Sequence, residues 1–312
     1  MLLTHETSIV LNKNDANIVG HMCYAAYKLW NVCNYERNNY KILGLEKYPD
    51  WYYQKSKHKD DLWFKSLPSQ TAQEICKLLD KSWKSFYRLK ESGGIENPGS
   101  PRYKKDKMPI TYMQNGIQHE RNSSHVRLSL PKKLKEYMAD IYDIHAAYLY
   151  LKNPVFSNMD TIKQIKIYPP ANDGTSRILV IYEVEDVLPE ENNGRYLSID
   201  LGLHNLMTCY DNAGKTFILG RKYLSLSYFY NKEIARVQSQ WDRIRSAREK
   251  ECSKTSKHLL KLYRKKNNRI KDYIHKMTRY ITNYCVKNNI HTVVIGDIKG
   301  IREEKNLGRK TN

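Results

Sequence analysis

Residues 196–295 constrain the fold more than any other part of this chain. Tyr196–Leu201 alternates as a short strand and Asn205–Tyr210 as a second, and Asp211-Asn212-Ala213-Gly214 makes a turn into a third, Thr216–Leu219. Two long helical runs follow, broken near Cys252 to Ser256, where Ser253, Thr255 or Ser256 can cap the second. The chain then enters His291–Ile295, a continuous β-branched run of the kind expected for a strand buried on both faces.

Three strands, a long helical excursion and a fourth strand form the first part of a ribonuclease H fold. In that fold the fourth strand lies parallel to and beside the first. Asp200 ends the first strand in Leu197-Ser198-Ile199-Asp200-Leu201-Gly202. A two-metal nuclease needs carboxylates on neighbouring strand ends, close enough to hold two cations about 4 Å apart on one phosphate. Gly202 would let a backbone or a phosphate approach closely. For the second acid the sequence offers Asp297, which can serve only if the strand has ended or bulges there, because side chains alternate between faces. Glu303 and Glu304 follow on an expected loop.

Upstream, Thr7–Leu11 alternates as a strand, and Asp15–Asn38 carries Ile18, Met22, Ala25, Ala26, Leu29, Trp30 and Cys33 at helical spacing, with Asn14 or Asp15 as the cap. Ser69–Lys90 reads as a further helix, ended by Gly93-Gly94 and Asn97-Pro98-Gly99. Pro101–Pro170 reads as short strands and turns, among them Arg127–Leu130 and Gln164–Tyr168, and Asn172-Asp173-Gly174 turns the chain into Ile178–Val184. A polar linker, Glu190–Gly194, separates this part from the rest.

The chain carries 53 Lys and Arg against 33 acids, a formal charge of +20. Such a field attracts polyphosphate chains, and neutralising phosphates releases counterions. Many of the 25 tyrosines stand beside a cation or amide, as in Tyr87-Arg88, Tyr103-Lys104 and Tyr263-Arg264, where a ring can stack on a base. On the second long helix Lys254, Lys257, Lys261, Arg264, Lys265 and Arg269 share one face, while Leu259, Tyr263, Ile270, Ile274, Met277, Ile281 and Cys285 share another. The basic face can follow a phosphate backbone without reading its sequence. The six cysteines form no C-x-x-C pair and read as reduced, mostly buried thiols. No apolar run approaches the roughly 18 residues of a membrane span, and the start has no secretory pattern, so the expected compartment is the cytoplasm, in association with the nucleoid.

At this point the residues match a family. Ser198-Ile199-Asp200-Leu201-Gly202-Leu203-His204-Asn205 and its hairpin resemble the first RuvC motif of TnpB proteins, the transposon-encoded RNA-guided nucleases related to type V CRISPR effectors. Asn97-Pro98-Gly99-Ser100-Pro101-Arg102-Tyr103-Lys104 is similar to the family's Pro-basic-aromatic-Lys signal, and Val293-Val294-Ile295-Gly296-Asp297-Ile298-Lys299-Gly300 to its second RuvC motif. The N-terminal strand and helix resemble the family's helix-turn-helix-like start. The resemblance implies an α+β protein. Residues 1–190 would form a nucleic-acid-binding region, a wedge-like β-barrel with strands at about 100–188 and a helical recognition insertion at about 50–95. Residues 195–312 would form a RuvC-like nuclease domain with long basic helices, incomplete at its C-terminus.

The resemblance also implies guide RNA and target DNA as partners, Mg2+ or Mn2+ for cleavage, Asp200 as the first metal ligand, and Zn2+ only in the complete family fold. Arg102, Tyr103, Lys104 and Lys105 join the basic helix face as expected nucleic-acid contacts. Two departures stand out: Gly296 replaces the glutamate of many members, and the chain stops before the family's zinc knuckle and last catalytic aspartate. Expected functions are an RNA-guided DNA endonuclease present without its C-terminus, or a nuclease-dead binder, repressor or relic on the same scaffold. An actin-like ATPase shares the fold core and the Asp-Leu-Gly-x-x-Asn hairpin, but its second Asp-x-Gly loop is missing and the charge argues against it.

Overall fold

The computed structural model describes residues 1–298 except 94–96, 172, 187–190 and 248–254. The chain divides into two compact units, Met1–Val187 and Leu188–Asn312.

The first unit opens with β1 (Leu2–Val10) and α1 (Lys13–Asn38). The helix is capped by Asn12, earlier than Asn14 or Asp15, because the Asn12 side chain accepts the Asp15 N–H at 2.8 Å. Three helices follow, α2 (Trp51–Lys57), α3 (Leu62–Lys65) and α4 (Ser69–Ser92), the last ending at Gly93 in the left-handed region with φ 63°. So the start is a strand and one long helix, with the next helix only at Trp51, where the resemblance implies a helix-turn-helix.

β2 (Ile110–Met113), β3 (Ile117–His119) and β4 (His125–Ser129) come next, then α5 (Lys132–Tyr142), which the sequence reading took for strand and turn. The apolar positions Leu134 and Met138, four residues apart, are the ones α5 buries. β5 (Tyr148–Lys152), β6 (Thr161–Ile167) and β7 (Thr175–Glu183) complete the unit. In the β6–β7 turn Gly174 has φ +76°, and a Cβ there would meet the Leu11 carbonyl oxygen at 2.5 Å, so only glycine fits.

These strands do not close a barrel. Among the described residues they form an open four-stranded sheet, β1-β7-β6-β2, and a separate three-stranded sheet, β3-β4-β5. The turn at Gln114–Gly116 takes the chain out of one ladder and into the other, which breaks the ring of hydrogen bonds that a barrel requires. The sheets still share one core. The buried Tyr112 of β2 donates its hydroxyl to Ser129 O of β4 at 3.0 Å.

The helices of this unit are locked by a buried polar knot. Arg37 of α1 donates from Nη1 to Asp80 of α4 at 3.0 Å and from Nε to Gln54 of α2 at 2.9 Å. Gln54 in turn donates to Glu36 Oε2 at 2.9 Å, and His58 bridges Glu36 and Asp61. Burial works against the Glu36 carboxylate, but His58, Lys57 and Gln54 hold its pKa down at about 2.

The second unit carries β8 (Tyr196–Asp200), β9 (Met207–Asp211), β10 (Thr216–Leu219), α6 (Lys222–Ser246), α7 (Lys257–Lys287) and β11 (Thr292–Ile295). The sheet order is β10-β9-β8-β11, and β11 runs parallel to β8 with Val293 beside Leu197 and Ile295 beside Ile199. The expectation of a strand buried on both faces fails for β11. Among the described residues it is the edge strand, and Val293, Val294 and Ile295 are exposed. Ser256 caps α7, accepting the Leu259 N–H at 3.2 Å. Among the described residues no helix is long and apolar enough to cross a membrane.

Asp80→Ala would leave the Arg37 guanidinium buried beside an empty site. Loss of one partner of a buried pair costs about 3–5 kcal/mol, and urea unfolding of the full chain should show the midpoint of the first unit falling accordingly.

Candidate carboxylate site and nucleic-acid interface

Alternation along β8 sends Leu197 and Ile199 into the core with Cys209, Ile281 and Ile290. Asp200 ends the strand with its side chain exposed. The β8–β11 ladder extends one residue past β11, since the Gly296 N–H donates to Ile199 O at 3.1 Å. That bond brings position 296 up to Asp200. A Cβ at 296 would lie 3.9 Å from Ile199 O and 4.0 Å from Asp200 Oδ1, ordinary contact distances, so a side chain fits there beside the carboxylate.

Asp297 follows outside the strand and is exposed. Glu303 and Glu304 lie outside the described residues. Among the described residues no group of three or more His, Cys, Asp or Glu stands close enough together to hold a metal ion. The donor set expected for divalent cations is therefore not assembled by these residues, and Asp200 is one carboxylate of the several that such a site uses.

A different aspartate is locked in place. Asp211, at the end of β9, has a side chain only 3% exposed. Arg195 Nη2 donates to both of its oxygens at 3.0 and 3.2 Å, and the Tyr284 hydroxyl of α7 donates to Oδ2 at 3.0 Å. The Ala213 N–H, with Tyr284 and the charges of Arg195 and Lys215, holds this carboxyl below its usual pKa range despite the opposing effect of burial. In the sequence Asp211 is marked only as the first residue of a turn, Asp211–Gly214. Its clamp joins residues 195, 211 and 284, and nothing local marks that.

The basic face of α7 forms as its spacing predicts. Lys257, Lys261, Arg264, Lys265 and Arg269 are all exposed, and four of them, Lys261, Arg264, Lys265 and Arg269, line one shallow concavity with Asn268 and Asp272. Lys254 lies outside the described residues. The apolar face holds for Leu259, Met277 and Ile281, which are buried, but Tyr263 is exposed. Leu259 packs with Ile234 and Val237 of α6, and Ile281 and Tyr284 pack on the sheet, so both ends of α7 are anchored with the cations turned outward.

In the first unit, Arg102, Tyr103, Lys104 and Lys105 are exposed on an extended segment that runs beside α1. Asn34 donates to Pro101 O at 2.9 Å and Trp30 to Arg102 O at 3.2 Å, while Asn31 both donates to Lys104 O and accepts the Lys104 N–H. With the backbone of Pro101, Arg102 and Lys104 bonded to α1, the segment keeps its cations exposed. Lys107, which no motif in the sequence marks, continues the row, and its Nζ lies 3.5 Å from where a Gly20 Cβ would stand.

Asp211→Asn should destabilise the second unit near neutral pH by about 1–3 kcal/mol, the cost of a lost charged hydrogen-bond set. A depressed folded-state pKa contributes stability above the unfolded value of about 3.9 and loses it as pH falls through the folded value. The gap between wild type and variant should therefore hold down to about pH 5 and shrink as pH falls below about 4, measured by urea unfolding with hydrogen exchange of β8 and β9 peptides. A gap that is constant with pH would contradict the charged role of Asp211.

Residues 179–302 match the family described as OrfB_IS605, probable transposase. No curated protein matches the chain. The fold resembles that of a Cas12f1–sgRNA–target DNA complex solved by cryo-EM, with a TM-score of 0.55 at 13% identity, covering 93% of this chain and 65% of that one. A CRISPR-Cas12f ternary complex aligns at a TM-score of 0.33 and 12% identity over 93% of this chain and 64% of that one, too low to bear on the fold. The chain thus spans just under two thirds of the length of the structures it resembles. The C-terminal part of the chain thus matches the probable-transposase family, and the mixed α/β fold resembles that of Cas12f1 over nearly the whole chain.

Proposed function

We propose that this protein holds a guide RNA and a target DNA on a RuvC-type, ribonuclease H-like scaffold, in the service of a transposon. The observation that carries this reading is the basic face of α7, whose cations at 257, 261, 265 and 269 recur every four residues, about 6 Å apart along the axis. An array of that kind neutralises successive phosphates whatever their sequence. The extended basic segment at 102–105 supplies a second phosphate-facing surface in the other unit. Sequence selection then falls to base pairing between guide and target, as in RNA-guided recognition generally. The likeness to a protein solved with sgRNA and target DNA supports those partners.

Cleavage is the second reading, favoured by one observation, Asp200 on the exposed end of β8 with position 296 against it. Here position 296 is glycine, and among the described residues no group of three or more donors gathers at Asp200, where phosphodiester hydrolysis assisted by two divalent cations calls for several carboxylates. Holding nucleic acid is therefore the activity these residues support, and cutting depends on an acid that they do not provide.

Two experiments test these readings. Replacing Lys257, Lys261 and Lys265 together by Gln should weaken binding of RNA and of DNA alike and lower the slope of log affinity against log salt by about 2–3. An unchanged slope would remove α7 from the interface. For cleavage, Gly296→Glu should raise Mg2+-dependent nicking of a guide-matched plasmid at least tenfold over wild type, and Asp200→Ala in the same background should abolish the gain. If wild type cuts as well as Gly296→Glu, the acid comes from elsewhere and position 296 is irrelevant to it.

A further inference from the structure

The first unit contains a cavity of about 790 Å3 that the reading above does not use. Its floor is α1 from Ala16 to Ala25, and its walls are α3, α5 and Lys107. The volume falls within the range of about 300–1,000 Å3 typical of small-ligand sites. Rings dominate the walls. Tyr24 meets Trp63 edge-on at 5.7 Å between centroids, and His21 meets Tyr137 edge-on at 5.3 Å. His21 is steadied from behind by Tyr142, whose hydroxyl lies 3.2 Å from Nε2. Lys28 Nζ stands over the Tyr24 ring at 5.3 Å from its centroid, whereas Tyr137, which has no cation over its ring among the described residues, is 43% exposed and so accessible to a ligand.

The polar groups of the cavity are of two signs. Lys107 brings an ammonium to its edge, and among the described residues it makes no ion pair. Asp140 brings a carboxylate that likewise has no ion-pair partner among the described residues, while Glu136 is paired with Lys133 at 3.4 Å. Burial, with the Lys107 charge second, lowers the pKa of His21, which keeps its ring neutral at physiological pH, with one nitrogen able to donate and the other to accept.

The cavity also lies at the end of the basic segment. Residues 101–108 are pinned along α1 from Asn34 to Cys23, where the Met108 N–H donates to Cys23 O at 3.2 Å. Arg102, Lys104, Lys105 and Lys107 are thus strung over about 17 Å of extended chain that leads into the aromatic walls. A cationic track ending in open rings is the combination that holds unpaired strands, because phosphates follow the track while a base with a free face stacks on a ring. A base inside a duplex has both faces covered and cannot enter.

We infer that this cavity receives one unpaired nucleotide of a polynucleotide strand, its base against Tyr137 and its backbone phosphates along Lys107, Lys105 and Lys104. The Asp140 carboxylate accepts a hydrogen bond from an N–H on the edge of the base. The inference rests on the reading of the chain as a polynucleotide-binding protein and adds to it a site for a single base. RNA and DNA present the same stacking chemistry, so the source of the nucleotide is left to the test.

The full chain is titrated, by fluorescence anisotropy, into a 20-nucleotide single-stranded RNA, the DNA strand of the same sequence and the DNA duplex. The variants are Tyr137→Leu, Tyr137→Phe and Lys107→Gln. Stacking of one base is worth about a 5- to 150-fold change in affinity, so Tyr137→Leu should weaken single-strand binding by that factor, and Tyr137→Phe, which keeps the ring, should restore it. Lys107→Gln should weaken single-strand binding and lower its salt slope by about one. A loss confined to RNA or to DNA names the source, and a loss on both means that the site ignores the sugar. Single-strand affinity of Tyr137→Leu within twofold of wild type would overturn the inference, provided the Lys257, Lys261, Lys265 triple variant still weakens binding. If wild type binds none of the three nucleic acids, the proposed function falls, and this site with it.

Discussion

The pairing of β8 with β11 is the contact on which the second unit depends. It joins Ile199 to Ile295 across almost a hundred residues of chain, and parallel neighbours of that kind require a crossover long enough to return to the same end of the sheet. Here α6 and α7 are that crossover. The last turns of α7 lie back on the sheet through Ile281 and Tyr284, and Tyr284 also reaches the Asp211 clamp. One helix therefore sets the register of the fourth strand and fixes the neighbour of Asp200. Because the ladder runs one bond further, to the Gly296 N–H, the residue at 296 stands against Asp200 at the end of β8.

In the first unit the corresponding constraint is α1. Its buried face supplies much of the core, and its polar residues have two further duties. Arg37 and Glu36 tie down α2 and α4 through bonds that are costly to leave unmade once they are out of water. Trp30, Asn31 and Asn34 hold the backbone of the basic segment, which consequently needs no strand or helix of its own to stay extended. A helix that packs on one side and anchors an irregular segment on another can present cations in a fixed row, where a free loop would lose entropy on every encounter with a ligand.

The two units share a chemical logic. Each turns a row of cations outward on a backbone anchored from the inner side, by apolar packing in α7 and by amide side chains beside α1. On the proposed function, phosphate contacts of this sort would set position and carry no sequence information. Discrimination would then come from base pairing or from groups that touch a base, and the aromatic cavity beside Lys107 is where the first unit offers such groups.

Much of this was legible in the residues themselves. The strands at 196–200, 207–211 and 216–219, the cap at Ser256 and the exposed cations of α7 follow from alternation, capping chemistry and helical spacing, all of which act within a few residues. α5 was missed because Pro131 and its short apolar pattern read equally well as strand and turn, and packing of Leu134 and Met138 decided the matter. β11 was assigned two buried faces because a β-branched run reports a preference for pleated backbone, whereas burial depends on how many neighbours the strand finds in the sheet. The barrel opened into two sheets for a similar reason, since ring closure is a property of hydrogen bonds between distant strands. What the sequence determined by itself was local: the elements, their caps, and the sign and spacing of charge. The tertiary structure alone decided which residues come together, such as Gly296 with Asp200, Arg195 with Asp211, and Lys107 with Gly20 at the edge of the aromatic cavity, because those encounters are made by packing between segments with no periodic relation along the chain.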